Sequence, residues 1–564
     1  MQRLTLALFA AAIVLATSSS ALPLAVGAPT REALPIASCG GATYADATAL
    51  LTALQGASYA CAEEIAAALR QRAEPATVDA LLAMAAGGSN ALIRRNALRA
   101  LGRLAEAPRG SRASELVLRL RGARLQRLLT SILAGERDTS LVQDSIWLLD
   151  SLFYPSFGAA ASLERVAADR ELAPELRYRA ALARARLVYA RGAPLASADS
   201  AFILGALQSP DPGVRAAAAG AATRLQSAQL TPGLRADLEA ALAAAWEAEP
   251  PLALAPDTPA PVGARVVESV PSSLTARAAI ARARDRLAGG SAHLDALQGR
   301  YEDLALPATL RGDGLLLRSG APSQSLPALL AEVARVRAAF EAALGPALAA
   351  PIPGENERTL VILVFGSQGV YRDYMRAFTS LPVDVDGTYD EASATLYTHE
   401  RTGAQSEHTL AESLRHELTH DLTARLLFPG VWHSAGYHDQ PKGWLDEGLA
   451  ELMAGLGPDG APAPRRAQLA RLCARATPPA LADLLGRRAG YDRFGSFDYD
   501  GAWALSFYLL GARPDGLRQV AAAYRDGRYR LEDWQRLIGA SSEEVERDWH
   551  GTIGGWCASA HSGR

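Results

Sequence analysis

Two histidines four residues apart, His416 and His420, sit in a segment where leucine returns at 410, 414, 418, 422 and 426. That period is helical, and residues four apart on a helix share a face. The leucine stripe marks the face turned to a core. The histidines lie on another face, where both rings can aim at one ion. The segment therefore predicts a core helix carrying a two-imidazole site.

The run His416-Glu417-Leu418-Thr419-His420 reads H-E-x-x-H, a zinc pattern. Only nine histidines occur in 564 residues, so this spacing is informative. Catalytic zinc takes three protein ligands and keeps a position for water. His416 and His420 supply two, and Glu447, in Trp444-Leu445-Asp446-Glu447-Gly448-Leu449-Ala450-Glu451, is the expected third. A histidine third ligand would need Gly and His soon after the motif, but Thr423 and Leu426 stand there. Glu417 points off the ligand line toward the bound water and is the candidate general base. Glu451 lies one turn past Glu447, where it either hydrogen-bonds a ligating imidazole or is simply solvated.

Thr398-His399-Glu400-Arg401-Thr402, Gln405-Ser406, Leu410, Arg415-His416-Glu417 and Thr419-His420 together resemble the catalytic segment of clostridial-type bacterial collagenases. So do Arg425, Pro429-Gly430-Val431-Trp432, Trp444, Glu447-Gly448, Ala450-Glu451 and Ala454-Gly455. The similarity covers about Asp386 to Ser506, including Gly495-Ser496-Phe497-Asp498 and Ala504-Leu505-Ser506. It implies a secreted zinc endopeptidase acting on collagen or gelatin, with a helical, HEAT-like domain preceding the peptidase domain. It also implies calcium beside the zinc helix, held by the Glu391 side chain and the carbonyls of Ala424, Phe428 and Gly430. Such oxygen donors suit calcium. Tyr499 is a candidate donor to the oxyanion by similarity, and a packing tyrosine otherwise. His399 replaces an aromatic of the family pattern and reads as structural, while His433 and His438 either line the cleft or lie on a surface loop. In glutamate-ligand zinc peptidases an edge strand pairs with extended substrate. Asp386, Gly387, Thr388 and Tyr389 open the candidate strand, and relatives carry two glycines where this chain has Asp386-Gly387.

The rest of the chain predicts a multidomain, mainly α protein. Residues 1–28 read as a signal peptide: Arg3, an apolar run from Leu4 to Ala16, then small residues. Residues 29–248 are Ala- and Leu-rich. Related segments recur there at Leu92-Ile93-Arg94, Leu176-Arg177-Tyr178 and Asp211-Pro212-Gly213-Val214-Arg215, with a weaker member at Asp138-Thr139-Ser140. Intervals of roughly 35 to 50 residues suit a HEAT-like α-solenoid, the alternative being an irregular bundle. Residues 249–270 form a linker, with five prolines between Glu249 and Pro261. A thermolysin-like α+β peptidase domain follows. Its part 271–457 holds a mixed sheet and the zinc helix, with strands at Thr309–Arg318 and Arg358–Phe365, and a hairpin from Gly387 to Glu400. Its part 458–564 is helical and closes the cleft.

The net charge of −3 shows no basic stripe for nucleic acid. No run beyond the leader is long enough to span a membrane. Four cysteines in an exported chain suggest disulfides, and of three connectivities Cys39–Cys61 with Cys473–Cys557 is expected. A monomer is expected. Two other readings stay open: a secreted metallopeptidase without collagen preference, and a helical-repeat scaffold that binds zinc without cutting.

Overall fold

The structure, a computed structural model, describes residues 34–36, 39, 42–72, 75–105, 123–151, 159–190, 195–256, 271–352, 358–403, 405–430, 437, 439–487 and 497–562. The proposed leader, His433 and His438 lie outside these. The chain divides into two compact units, Met1–Phe153 and Tyr154–Arg564.

In the first unit, β1 (Leu34–Ile36) pairs antiparallel with β2 (Ala42–Tyr44). Helices Ala47–Gly56, Tyr59–Arg72, Pro75–Gly87, Ala91–Ala105, Ala123–Gly135 and Thr139–Ser151 follow. Their apolar faces meet in one core that includes Leu50, Leu54, Ile65, Leu69, Leu81, Leu98 and Leu101. Asn96 is buried there and donates its amide to the carbonyls of Leu54 and Ala57, at 2.9 and 3.0 Å. These carbonyls close the helix Ala47–Gly56, so one side chain completes its C-terminal end. Gly102 lets a neighbouring helix come close: a Cβ there would stand 2.0 Å from the Trp147 ring. Cys39 is bonded to Cys61.

The second unit opens with helices Ala160–Ala168, Pro174–Ala190, Ser197–Leu207, Pro212–Thr223 and Pro232–Ala248. Pro212–Thr223 begins on Asp211, whose carboxylate accepts from the amides of Gly213 and Val214, the N-cap geometry. This helix packs against Ser273–Ala288, which lies beyond the proline-rich stretch. Both are lined with small residues, Ala217, Ala218 and Ala221 on one and Ala276, Ala278 and Ala281 on the other, all buried. Small side chains let the two backbones approach. They join both sides of the expected linker into one unit, and the division of the chain falls instead after Phe153.

Five strands make a mixed sheet in the order β3-β4-β5-β7-β6. β3 (Ala308–Gly312) and β4 (Leu315–Ser319) are antiparallel. The sequence predicts one strand over 309–318; Asp313-Gly314 instead turns the chain, with Gly314 at φ +64°. β4, β5 (Leu360–Phe365) and β7 (Thr395–His399) run parallel, and β6 (Gly387–Asp390) adds antiparallel to β7 as an edge.

Helix Leu410–Leu426, the histidine helix, starts in a capping box between Thr409 and Glu412. All five leucines of its stripe are buried, in one core with Val333 and Phe340 of helix Leu326–Leu344 and Trp444, Leu445 and Leu449 of helix Gly443–Ala454. The histidine helix also packs on β6 and β7. In Gly443–Ala454, the acidic helix, only Asp446 escapes full burial. Its Gly448 seats it on helix Tyr499–Ala512, where a Cβ would stand 2.3 Å from Ser506 Oγ. Arg466–Cys473, Leu481–Leu485, Pro514–Arg525, Trp534–Ile538 and Ser542–Ser562 complete the unit, and Cys473 is bonded to Cys557. Among the described residues no helix is long and apolar enough to cross a membrane.

Candidate metal centre

The histidine helix and the acidic helix pack side by side and bring three donors together. His416 Nε2 and His420 Nε2 are 3.2 Å apart, and Glu447 Oε2 stands 3.5 and 3.6 Å from them. One ligand atom from each of the three lies within 4.8 Å of the others. Glu447 Oε2 is buried and has no hydrogen-bond partner among the described residues. A buried acceptor without a donor is costly. A cation between the three atoms would remove that cost, and two imidazoles with one carboxylate are a donor set suited to zinc.

The far side of each ring is also occupied. His420 Nδ1 lies 3.1 Å from Asp446 Oδ1, and Thr423 Oγ1 donates to the same oxygen at 2.7 Å. His416 Nδ1 lies 3.3 Å from Glu451 Oε1. Each carboxylate faces Nδ1 and so leaves Nε2 directed toward the shared centre. Asp446 escaped the sequence reading, because an acidic residue beside a ligand looks like any solvated helix position.

The charges depend on one another. Burial opposes a positive His416, but Glu447 and Glu451 outweigh it and hold its pKa up at about 10. Burial likewise opposes an ionised Glu447, while His420 and His416 draw its pKa down to about 2. Glu417 moves the other way: burial raises it, and the two histidines only partly offset this.

Glu417 lies against the first residue of β6. A Cβ on Gly387 would stand 2.9 Å from Glu417 Cγ and 3.3 Å from its Oε1. Glycine is thus required where the edge strand crosses the carboxylate. The strand is fastened on both sides of this crossing. Arg401, its side chain buried, donates to Asp386 O at 2.6 Å, Thr398 Oγ1 at 2.7 Å and Ser413 Oγ at 2.7 Å. It thereby joins the start of β6 to β7 and to the histidine helix. At the other end the Tyr389 hydroxyl donates to Asp421 Oδ1 at 3.0 Å, beside His420. Thr388 lies between them, its Cα paired with Tyr397.

The residues named for a second cation lie near that end. Glu391, Ala424 and Gly430 line a cavity of about 20 Å³ with Arg358, Tyr389, Ala394 and Arg425. Glu391 accepts from the Tyr437 hydroxyl. Phe428 lies under the ammonium of Lys442, which stands 4.8 Å from its ring centre. Lys442, the single lysine of the chain, is buried at the head of the acidic helix; burial lowers its pKa to about 8, against the pull of Asp446 and Glu391. Tyr499 opens helix Tyr499–Ala512 with its ring edge-on to Phe497, centroids 5.0 Å apart. His399 is wholly buried with Nδ1 2.9 Å from Glu400 O, and burial drops its pKa to about 4.

Residues 284–551 match the family described as Collagenase (Peptidase_M9). Collagenase ColA of Bacillus cereus is 31% identical over 159 residues, 28% of this chain and 16% of that protein. Collagenase ColA of Clostridium perfringens is 31% identical over 162 residues, 28% of this chain and 14% of its own length. Collagenase ColT of Clostridium tetani is 33% identical over 105 residues, 18% of this chain and 10% of its own. The matched part spans well under two thirds of these relatives. It contains the histidine helix, the acidic helix and the edge strand, so the likeness to the collagenase family (Peptidase_M9) covers the whole candidate metal centre.

Proposed function

We propose that the protein is a secreted zinc endopeptidase of collagenase type. The observation that carries this is the buried, unpartnered Glu447 Oε2 facing the paired Nε2 atoms of His416 and His420, beneath an edge strand and beside Glu417. A zinc ion held by His416, His420 and Glu447 would supply Lewis acidity and bring the pKa of bound water to about 7. Glu417 takes a proton from water and returns it to the leaving amide nitrogen. Its burial and raised pKa suit a base that must also become an acid. Asp446 and Glu451 hold the imidazoles in one tautomer. The edge Asp386, Gly387, Thr388 and Tyr389 aligns an extended peptide by backbone hydrogen bonds, and Tyr499 is the proposed donor to the carbonyl oxygen as charge develops on it.

The substrate reading, collagen or gelatin, rests on the family. A peptidase without collagen preference is the second reading; the likeness to Collagenase ColA of Bacillus cereus covers 28% of this chain. Calcium at Glu391, Ala424, Phe428 and Gly430 belongs to the proposal as a second metal. One carboxylate beside Arg358 and Arg425 is weak neutralisation for a divalent ion, so low affinity is expected. Export through a leader at 1–28 is supported by the two disulfides, which persist in oxidising compartments. The recurring arginine-bearing helix starts support a HEAT-like arrangement of the N-terminal helices, and a monomeric enzyme completes the reading.

Glu417→Gln is the test. The variant should keep zinc and lose about 10²- to 10⁴-fold in turnover of a quenched gelatin peptide. Near-normal turnover removes Glu417 as the base. Native collagen and gelatin digested side by side, with and without chelator, separate the two substrate readings.

A further inference from the structure

We propose that Arg465 and Gln468 are positioning residues for the metal centre, acting on His416 through Glu451. The inference rests on the zinc reading above. His420 is oriented by Asp446, and Asp446 is held by Thr423, so that partnership stays within the histidine and acidic helices. His416 is oriented differently. Glu451 gives Oε1 to His416 Nδ1 and Oε2 to two donors from outside those helices. Arg465 Nη1 stands 2.8 Å from Oε2, and Gln468 Nε2 donates to the same oxygen. Gln468 and Glu451 are both buried, at 1% and 4% exposure. With both oxygens engaged, the carboxylate plane is set, and with it the rotation of the His416 ring.

The two donors are themselves held. Arg465 Nη2 lies 3.2 Å from His408 Nε2, and its Nε is 3.9 Å from Glu412 Oε1. Its stem lies across Gly455, where a Cβ would stand 3.3 Å from Arg465 Cγ and Cδ and 2.8 Å from Ala463 O. Arg465 caps helix Arg466–Cys473 and Gln468 lies in its first turn. The far end of that helix, Cys473, is bonded to Cys557 in Ser542–Ser562. The orientation of one metal ligand thus depends on a helix that follows the acidic helix in sequence and is anchored to the C-terminal one.

The charges agree with this role. Glu451 accepts from His416 at one oxygen, so the other must face a donor, and it faces two. Arg465 supplies positive charge, and Gln468 supplies a neutral amide hydrogen where a second cation would oppose binding of the metal. Outer partners of metal-ligating histidines are worth about 10- to 100-fold in metal affinity.

The test uses the full chain loaded with zinc and follows metal release to a chromogenic chelator. Arg465→Met and Gln468→Met should each release zinc about 10- to 100-fold faster than the parent. Arg465→Lys should recover part of the loss, and Arg466→Met, at the exposed neighbouring position, should release at the parent rate. KM for a short peptide should hold while kcat falls. In the cobalt-substituted protein the visible bands should shift in Gln468→Met and stay in place in Arg466→Met, a signature that general loss of stability does not produce. Gln468→Glu keeps the shape of the side chain but sets like charge against Glu451; it should release zinc fastest while remaining folded. Variants that fold, release zinc at the parent rate and keep the parent cobalt spectrum overturn the proposal alone. A parent chain that takes up no zinc overturns the metal reading and this proposal with it.

Discussion

The two units bury different chemistry. In the first, the described buried polar residues are Thr77, Asn96 and Ser145, set among alanines and leucines. In the second, between Thr395 and Ser506, the interior holds Arg415, Glu417, Asp421, Lys442, Glu447, Glu451 and Gln468, all charged or amide-bearing. Burying such groups costs free energy unless each finds a partner. Around His416 and His420 these groups surround the candidate metal centre; in the first unit few polar residues are buried among those described, and the helices mainly pack. The first unit reads as architecture and the second as chemistry.

That contrast can be broken. Glu447→Ala should take the zinc content from one ion per chain to almost none by elemental analysis and abolish peptide hydrolysis. Full occupancy after this change would show that the buried polar cluster is not a metal site. Leu101→Ala, in the core of the first unit, should cost about 2–5 kcal/mol in denaturant unfolding of that unit. Zinc content and peptide turnover should be unchanged, and loss of zinc in this variant would show that the units do not behave separately. Gly387→Ala forces a methyl group against Glu417 or shifts β6, and displacement of about 1 Å at a reacting group costs about 10²-fold. The loss should appear in kcat for a peptide, with zinc retained. Asp446→Asn should be the mildest, weakening zinc about 10-fold in a competition titration, because the amide still reaches His420 but no longer supports its charge.

Much of the site was legible. His416 and His420 share a helical face by spacing alone, and five leucines at the same period show which face is buried. Glu447 could be named because zinc chemistry demands a third donor and an acidic residue stands in a following apolar helix. The edge strand was visible in Gly387-Thr388-Tyr389. Asp446 was not, since nothing local separates a carboxylate aimed at an imidazole from one aimed at water. Arg465 and Gln468 were hidden for a stronger reason: they reach Glu451 from a later segment that passes close to Gly455. The hairpin at Asp313-Gly314 was missed although its turn residues are ordinary signals, because the apolar residues on either side read as one strand. The packing of Pro212–Thr223 on Ser273–Ala288 was invisible because alanine-rich faces carry little pattern.

Sequence by itself determined the elements whose rules are local: the histidine helix, the residue types that could hold a metal and the carboxylate next to the first histidine. Periodicity and spacing suffice for these, since each depends on neighbours within a turn or two. Tertiary structure decided the rest: which oxygen of which carboxylate meets each ring, where the edge strand crosses Glu417, and which distant side chains hold Glu451. Those contacts join residues far apart in the chain, and only the packing of whole helices and strands brings them within hydrogen-bonding distance.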